Sequence, residues 1–203
     1  MAGVIPINYE LVFEPLFHNF KFNGEEIITL NLSKPTNSIK LDAAELSIKE
    51  SHIIHGGKII SSESSLNEKD EKLTIKLAKK IKGKAKLSIK FTGTLNDRLL
   101  GFYKSQYKDK NGKIKYLATT QFEAADARRA FPCWDEPAVK ATFDVSLLVD
   151  KHLDAISNMP VISKKKTGTK ILYKFVRTPI MSTYLLYLGV GEFEYLHGKL
   201  RNI

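Results

Sequence analysis

The side chains able to do chemistry crowd into one stretch, TTQFEAADARRAFPCWDEPAVKATF, residues 119–143. It holds the acids Glu123, Asp126, Asp135 and Glu136, the bases Arg128, Arg129 and Lys140, the only tryptophan, Trp134, and the only cysteine, Cys133. Asp135 and Glu136 are adjacent, so on an extended chain their carboxylates diverge. That makes them a poor general acid/base pair and ordinary ion-pair partners for Arg128 or Arg129. Cys133 lies between Pro132 and Trp134 with no histidine near it in sequence. Apolar neighbours raise a thiol's pKa, so a small buried hydrophobe is the better reading than a nucleophile. Read alone, Gln121 and Glu123 are better taken as two solvated residues at a strand end than as a binding pair.

No complete catalytic set stands elsewhere. The histidines are His18, His52, His55, His152 and His197. Only His52 and His55 are close, and an i,i+3 pair on a strand points to opposite faces, so no metal site is expected in this chain. Gly189-Val190-Gly191 opens like a dinucleotide fingerprint, but position 194 is Glu and no strand–helix–strand unit surrounds it. Neither a phosphate-binding P-loop nor a G-x-S-x-G elbow occurs.

The elements that must position these residues are strands. Ile7, Tyr9, Leu11 and Phe13 share a parity opposite to Asn8 and Glu10. Phe20, Phe22, Ile28, Leu30 and Leu32 share another, and KLTIKL and AKLSIKF repeat the alternation. This period of two predicts half-buried antiparallel strands. Leu11, Phe13, Leu30, Leu32, Leu41, Leu87, Ile89, Phe91, Phe143, Val145 and Leu147 are the expected core. Asn111-Gly112, His55-Gly56-Gly57 and Thr167-Gly168-Thr169 mark reversals. The only helical candidate is short, over Ala124–Ala130. The expected fold is all-β: a sandwich or open curved sheet with little helix.

Composition bounds the rest. At 203 residues, folding buries roughly 70% of the unfolded chain's surface, enough for a core without staples. One cysteine excludes an internal disulfide framework and fits a reducing compartment. No apolar run approaches the ~18 residues of a bilayer span, and MAGVIPINYELVF lacks the order of a signal peptide. The formal charge is +10, which raises the question of nucleic acid. The lysines alternate with apolar residues or sit at turns, as on the wet faces and guarded edges of strands, so neither nucleic acid nor membrane is expected as a partner.

The motif order is more specific than the composition. Q-x-E at Gln121–Glu123, then Asp126-Ala127-Arg128, then Phe131-Pro132-Cys133-Trp134-Asp135-Glu136-Pro137 and an aromatic-bearing strand resembles the N-terminal domain of the aminopeptidase N family of zinc metallopeptidases. That family includes leukotriene hydrolase and the tricorn-interacting aminopeptidases. SNMPV, TPIMSTYLLYLGVGEFE and the opening P-x-x-Y-x-L extend the likeness over nearly the whole chain, and it looks closest to archaeal members.

The resemblance implies a large saddle-like antiparallel β-sandwich over residues 1–203. It implies a catalytic domain beyond this chain, carrying G-x-M-E-N and H-E-x-x-H motifs and the zinc ligands. The fragment alone is then expected to be inactive, to bind no zinc and to be cytoplasmic. It is expected to meet the catalytic domain of the same polypeptide and a peptide N-terminus, and to self-associate through the face so exposed. By resemblance, Glu123 takes the substrate α-ammonium and Gln121 lines the pocket for the first side chain. Asp126, Arg128, Trp134, Asp135 and Glu136 support the loop that presents them. The family's pattern also implies a cis peptide bond between Glu123 and Ala124. Relatives often carry Pro-Thr after the acid, where this chain has Ala124-Ala125. The alternative reading is a catalytically inactive interaction module of the same fold.

Overall fold

The computed structural model describes residues 3–196 and 198; His197 and the residues from 199 onward lie outside the described set. Thirteen strands form two sheets. In chain order they are β1 (Val4–Leu16), β2 (Lys21–Asp42), β3 (Ser47–His55), β4 (Lys58–Asn67), β5 (Lys72–Thr94), β6 (Gly101–Lys108), β7 (Ile114–Gln121), β8 (Lys140–Asp150), β9 (Asp154–Ser157), β10 (Val161–Thr167), β11 (Lys170–Phe175), β12 (Met181–Ser182) and β13 (Leu188–Gly191). The larger sheet runs β10-β11-β8-β1-β2-β5-β3-β4, with β12 on β8; the smaller runs β6-β7-β13-β9. Among the described residues helix is confined to two 3₁₀ turns, Ala127–Arg129 and Thr183–Leu185.

The alternating pattern accounts for most of this. Every residue of the expected core is buried. Phe13 of β1 sits where the layers meet. Its ring lies 6.2 Å from Phe91 of β5, 5.8 Å from Phe102 of β6 and 6.2 Å from Phe131 of the 122–139 connection. Each such buried aromatic contributes about 1.5–3 kcal/mol, so this cluster ties both sheets to the connection.

Three features depart from the simple pattern. The pairing of β1 with β8 is parallel, Asn8 opposite Thr142 through Phe13 opposite Leu147, while the other ladders are antiparallel. The parity of Ile7 is reversed. The β1–β2 register shifts between Pro6 and Asn8, so Ile7 is left 43% exposed while Asn8 turns inward and is buried. KLTIKL and AKLSIKF are one strand, β5, which keeps its pairing with β2 across shifts near Thr36.

The predicted reversals are hairpins. Gly56-Gly57 is a two-residue loop with both φ positive (+57° and +74°), closing His55 opposite Lys58. Gly168-Thr169 is also a two-residue loop, joining Thr167 to Lys170 with Gly168 alone at positive φ (+59°). At Asn111-Gly112 the loop is longer than a two-residue turn. The Gly112 N–H donates to the Asp109 carbonyl at 2.9 Å, Gly112 takes the positive φ (+77°), and Asp109 Oδ1 accepts from the N–H groups of Asn111 and Lys113.

Candidate functional site

Strand β7 ends at Gln121, paired with Gly101 of β6. Beyond it the backbone leaves the sheet with Gln121 exposed, Phe122 buried and Glu123 exposed. Phe122 acts as the peg: its ring meets Phe131 edge-on at 6.1 Å. The peptide bond between Glu123 and Ala124 is cis. The chain then turns, with the Asp126 N–H donating to the Phe122 carbonyl at 2.9 Å, and enters the 3₁₀ turn.

Two adjacent arginines fix that turn to loops distant in sequence. Arg128 donates from Nε and from its backbone N–H to Asp135 Oδ2, each at 3.2 Å, and from Nη1 to Glu71 Oε2 at 3.0 Å. Arg129 donates to Asp126 at 2.9 Å, to Glu45 at 2.6 Å and to Glu71 Oε1 at 3.0 Å. Glu71 thus spans both guanidinium groups, and Glu45 also pairs with Arg98. Planar five-donor guanidinium groups suit such divided contacts, which one ammonium could not make.

Below this layer Asp42, 2% exposed, does the same for the descending chain. Its backbone forms a two-bond bridge with Cys133, at 2.7 and 3.0 Å. Its Oδ2 accepts the Asp135 N–H at 3.1 Å, and its Oδ1 pairs with Lys72. Asp135, 4% exposed, completes its shell by accepting from Thr183 Oγ1 at 2.9 Å. A buried carboxylate is tolerable here because both oxygens have donors.

The residues named from sequence therefore fall into separate places. Asp126, Arg128 and Asp135 share one network, and Trp134 is buried beside it, its backbone N–H directed at the Tyr9 hydroxyl at 3.4 Å. Glu136 stands apart. It is exposed, and among the described residues it makes no ion pair; it lines an open groove of 510 Å³ together with Trp134, Lys40 and Lys72. Sequence reasoning missed Asp42, Glu45, Glu71 and Lys72. They are tens of positions away, and no periodicity marks them. Cys133 is fully buried and burial pushes its thiol pKa well up, so it is inert as a nucleophile.

Gln121 and Glu123 have no partner in this network. Among the described residues no ion pair reaches Glu123, and it is exposed. No group of three His, Cys, Asp or Glu residues among those described could hold a metal ion. No helix among them is long and apolar enough to cross a membrane. The donors among the described residues do not fit a zinc site.

The Peptidase M1 N-terminal domain matches residues 5–185. The chain belongs to that family. It is 44% identical over 202 residues to a puromycin-sensitive aminopeptidase of Caenorhabditis elegans, covering 97% of this chain and 21% of that protein. It is 41% identical over 194 residues to aminopeptidase M1-D of Oryza sativa subsp. japonica, covering 95% and 22%. It is 42% identical over 203 residues to aminopeptidase 2, mitochondrial, of Saccharomyces cerevisiae, covering 97% and 21%. The M1 N-terminal domain thus spans about a fifth of the length of the curated relatives it matches. These relatives are eukaryotic, so the archaeal likeness rests on the motifs alone.

Proposed function

We propose that this chain is the non-catalytic N-terminal domain, over residues 1–203, of a zinc-dependent aminopeptidase that removes N-terminal residues from peptides in the cytoplasm. The observation that carries the reading is Glu123: an exposed carboxylate that no cation among the described residues pairs with, carried on a connection that two arginines and two buried aspartates hold in place. An exopeptidase has to measure from the free α-ammonium to the scissile bond. A carboxylate supplies that reference, because a charge-assisted hydrogen bond to an ammonium is lost with an internal peptide. Glu123 takes the ammonium, and Gln121, two residues earlier at the sheet end, lines the pocket for the first side chain. Asp126, Arg128, Trp134 and Asp135 hold the presenting loop. Glu136, unpaired and on the surface, faces the neighbouring domain.

The zinc and its ligands belong to the catalytic domain of the same polypeptide, since the donors of this chain do not fit them. The exposed face of the isolated chain pairs with a second copy when that domain is missing. The test is the reading frame beyond Ile203 and the activity of the longer product. A downstream H-E-x-x-H and chelator-sensitive cleavage of an aminoacyl-anilide are expected. A stop codon at that point, or an expressed longer protein without the motif and without turnover, favours the interaction module instead.

A further inference from the structure

Glu26 lies in the middle of β2, opposite Leu11 of β1 and Ile89 of β5. It is 1% exposed, and neither carboxyl oxygen has a hydrogen-bond partner. Its neighbours on both strands are apolar. The titratable groups near enough to feel its charge are Tyr9 of β1 and Cys133 of the connection, and burial pushes both of those upward as well. Arg128, the cation of the connection whose charge reaches Cys133, is engaged with Asp135 and Glu71. Burial alone, with no cation to offset it, raises the Glu26 pKa well above the ordinary carboxylate range. The acid is therefore carried neutral. What lies over it is the seat of the site: Tyr9 stacks on Phe143 at 5.0 Å, meets Phe131 edge-on, and accepts from the Trp134 backbone N–H.

We propose that Glu26 is a buried proton switch beneath the connection that carries Gln121 and Glu123: neutral while the connection is seated, and loosening that seat when it ionises on the alkaline side. A charge formed there has no partner and cannot stay in an apolar layer, so the layer has to open toward water. The sign follows from linkage. The folded pKa lies above the unfolded one, so the stabilisation is complete below the ordinary glutamate pKa and is lost as pH rises toward the folded value. The proposal goes beyond the aminopeptidase reading and does not depend on it, because it concerns the isolated chain.

Trp134, the only tryptophan, reports on the seat directly. Urea unfolding of the wild-type chain, Glu26→Gln and Glu26→Leu is followed by tryptophan emission from pH 5 to 9. The wild-type unfolding constant is expected to rise about tenfold per pH unit relative to either variant, the slope of one proton held only by the folded state. Its Trp134 emission should shift reversibly with pH before global unfolding, and the variants should not show the shift. Cys133→Ala should keep the wild-type transition. Superimposable pH profiles for wild type and Glu26→Gln, or a transition that vanishes in Cys133→Ala, would overturn the proposal. Should both Glu26 variants fail to fold, carboxyl-carbon NMR of the wild-type chain decides. One glutamate still protonated at pH 7 supports the switch, and ionisation of all of them at that pH overturns it.

Discussion

Asp135 and Glu136 are neighbours in sequence and opposite in situation. Asp135 accepts from the Arg128 backbone and side chain and from Thr183, inside the protein. Glu136 projects into an open groove. Replacing Asp135 by Ala removes the buried acceptor of the Arg128 Nε and backbone N–H and is expected to cost about 3–5 kcal/mol, as when one member of a buried pair is removed. Glu136→Ala should stay within about 0.5 kcal/mol of wild type. Urea unfolding of the two variants checks both, and equal midpoints would contradict the assignment. The sequence showed that the charges of this segment would pair among themselves, but not the acids that complete the pairing. Glu45 and Glu71 come from loops between strands, and each sits on left-handed backbone, φ +58° and +52°. That conformation is uncommon for a residue with a side chain, and here the arginine contacts hold it. Nothing local in the sequence marks either position, because the contact is made by the fold.

At the scale of the strand, the period-two pattern was enough to identify the core and the hairpins, since one buried face fixes which residues point inward. It failed where the backbone breaks the period. The bulge at Ile7 turns Asn8 inward, and the parallel β1–β8 pair joins strands more than a hundred residues apart, a pairing that no turn signal announces. A further device was legible only in the register. Gly24 stands opposite Phe91 on the paired strand, and Gly93 opposite Phe22. A Cβ at Gly24 would lie 2.2 Å from the Phe91 ring, and one at Gly93 2.2 Å from the Phe22 ring. Each aromatic lies over the bare backbone of its glycine partner, so the two sites are reciprocal. Gly24→Ala is expected to destabilise the chain by about 1–3 kcal/mol through overpacking, against the usual benefit of removing a glycine from a strand. A denaturation midpoint at or above wild type would show that the ring can move aside.

Across the whole molecule, the two sheets and the aromatic cluster between them build a rigid frame, and the frame delivers one exposed carboxylate at the end of β7. Exposed apolar side chains such as Ile180 and Leu99, 71% and 61% exposed, are available for a neighbouring domain. The central claim is that Glu123 serves a ligand and not the fold. The most direct test is Glu123→Gln in the longer polypeptide, with kcat/KM measured on aminoacyl substrates and the variant's isolated N-terminal domain melted in parallel. The account predicts an unchanged melting temperature for the domain. It predicts transition-state binding weaker by about 2–5 kcal/mol, a fall in kcat/KM of roughly thirty-fold or more, as when one member of a desolvated charge pair is lost. A Glu123→Gln enzyme that keeps its kcat/KM on aminoacyl substrates would contradict it.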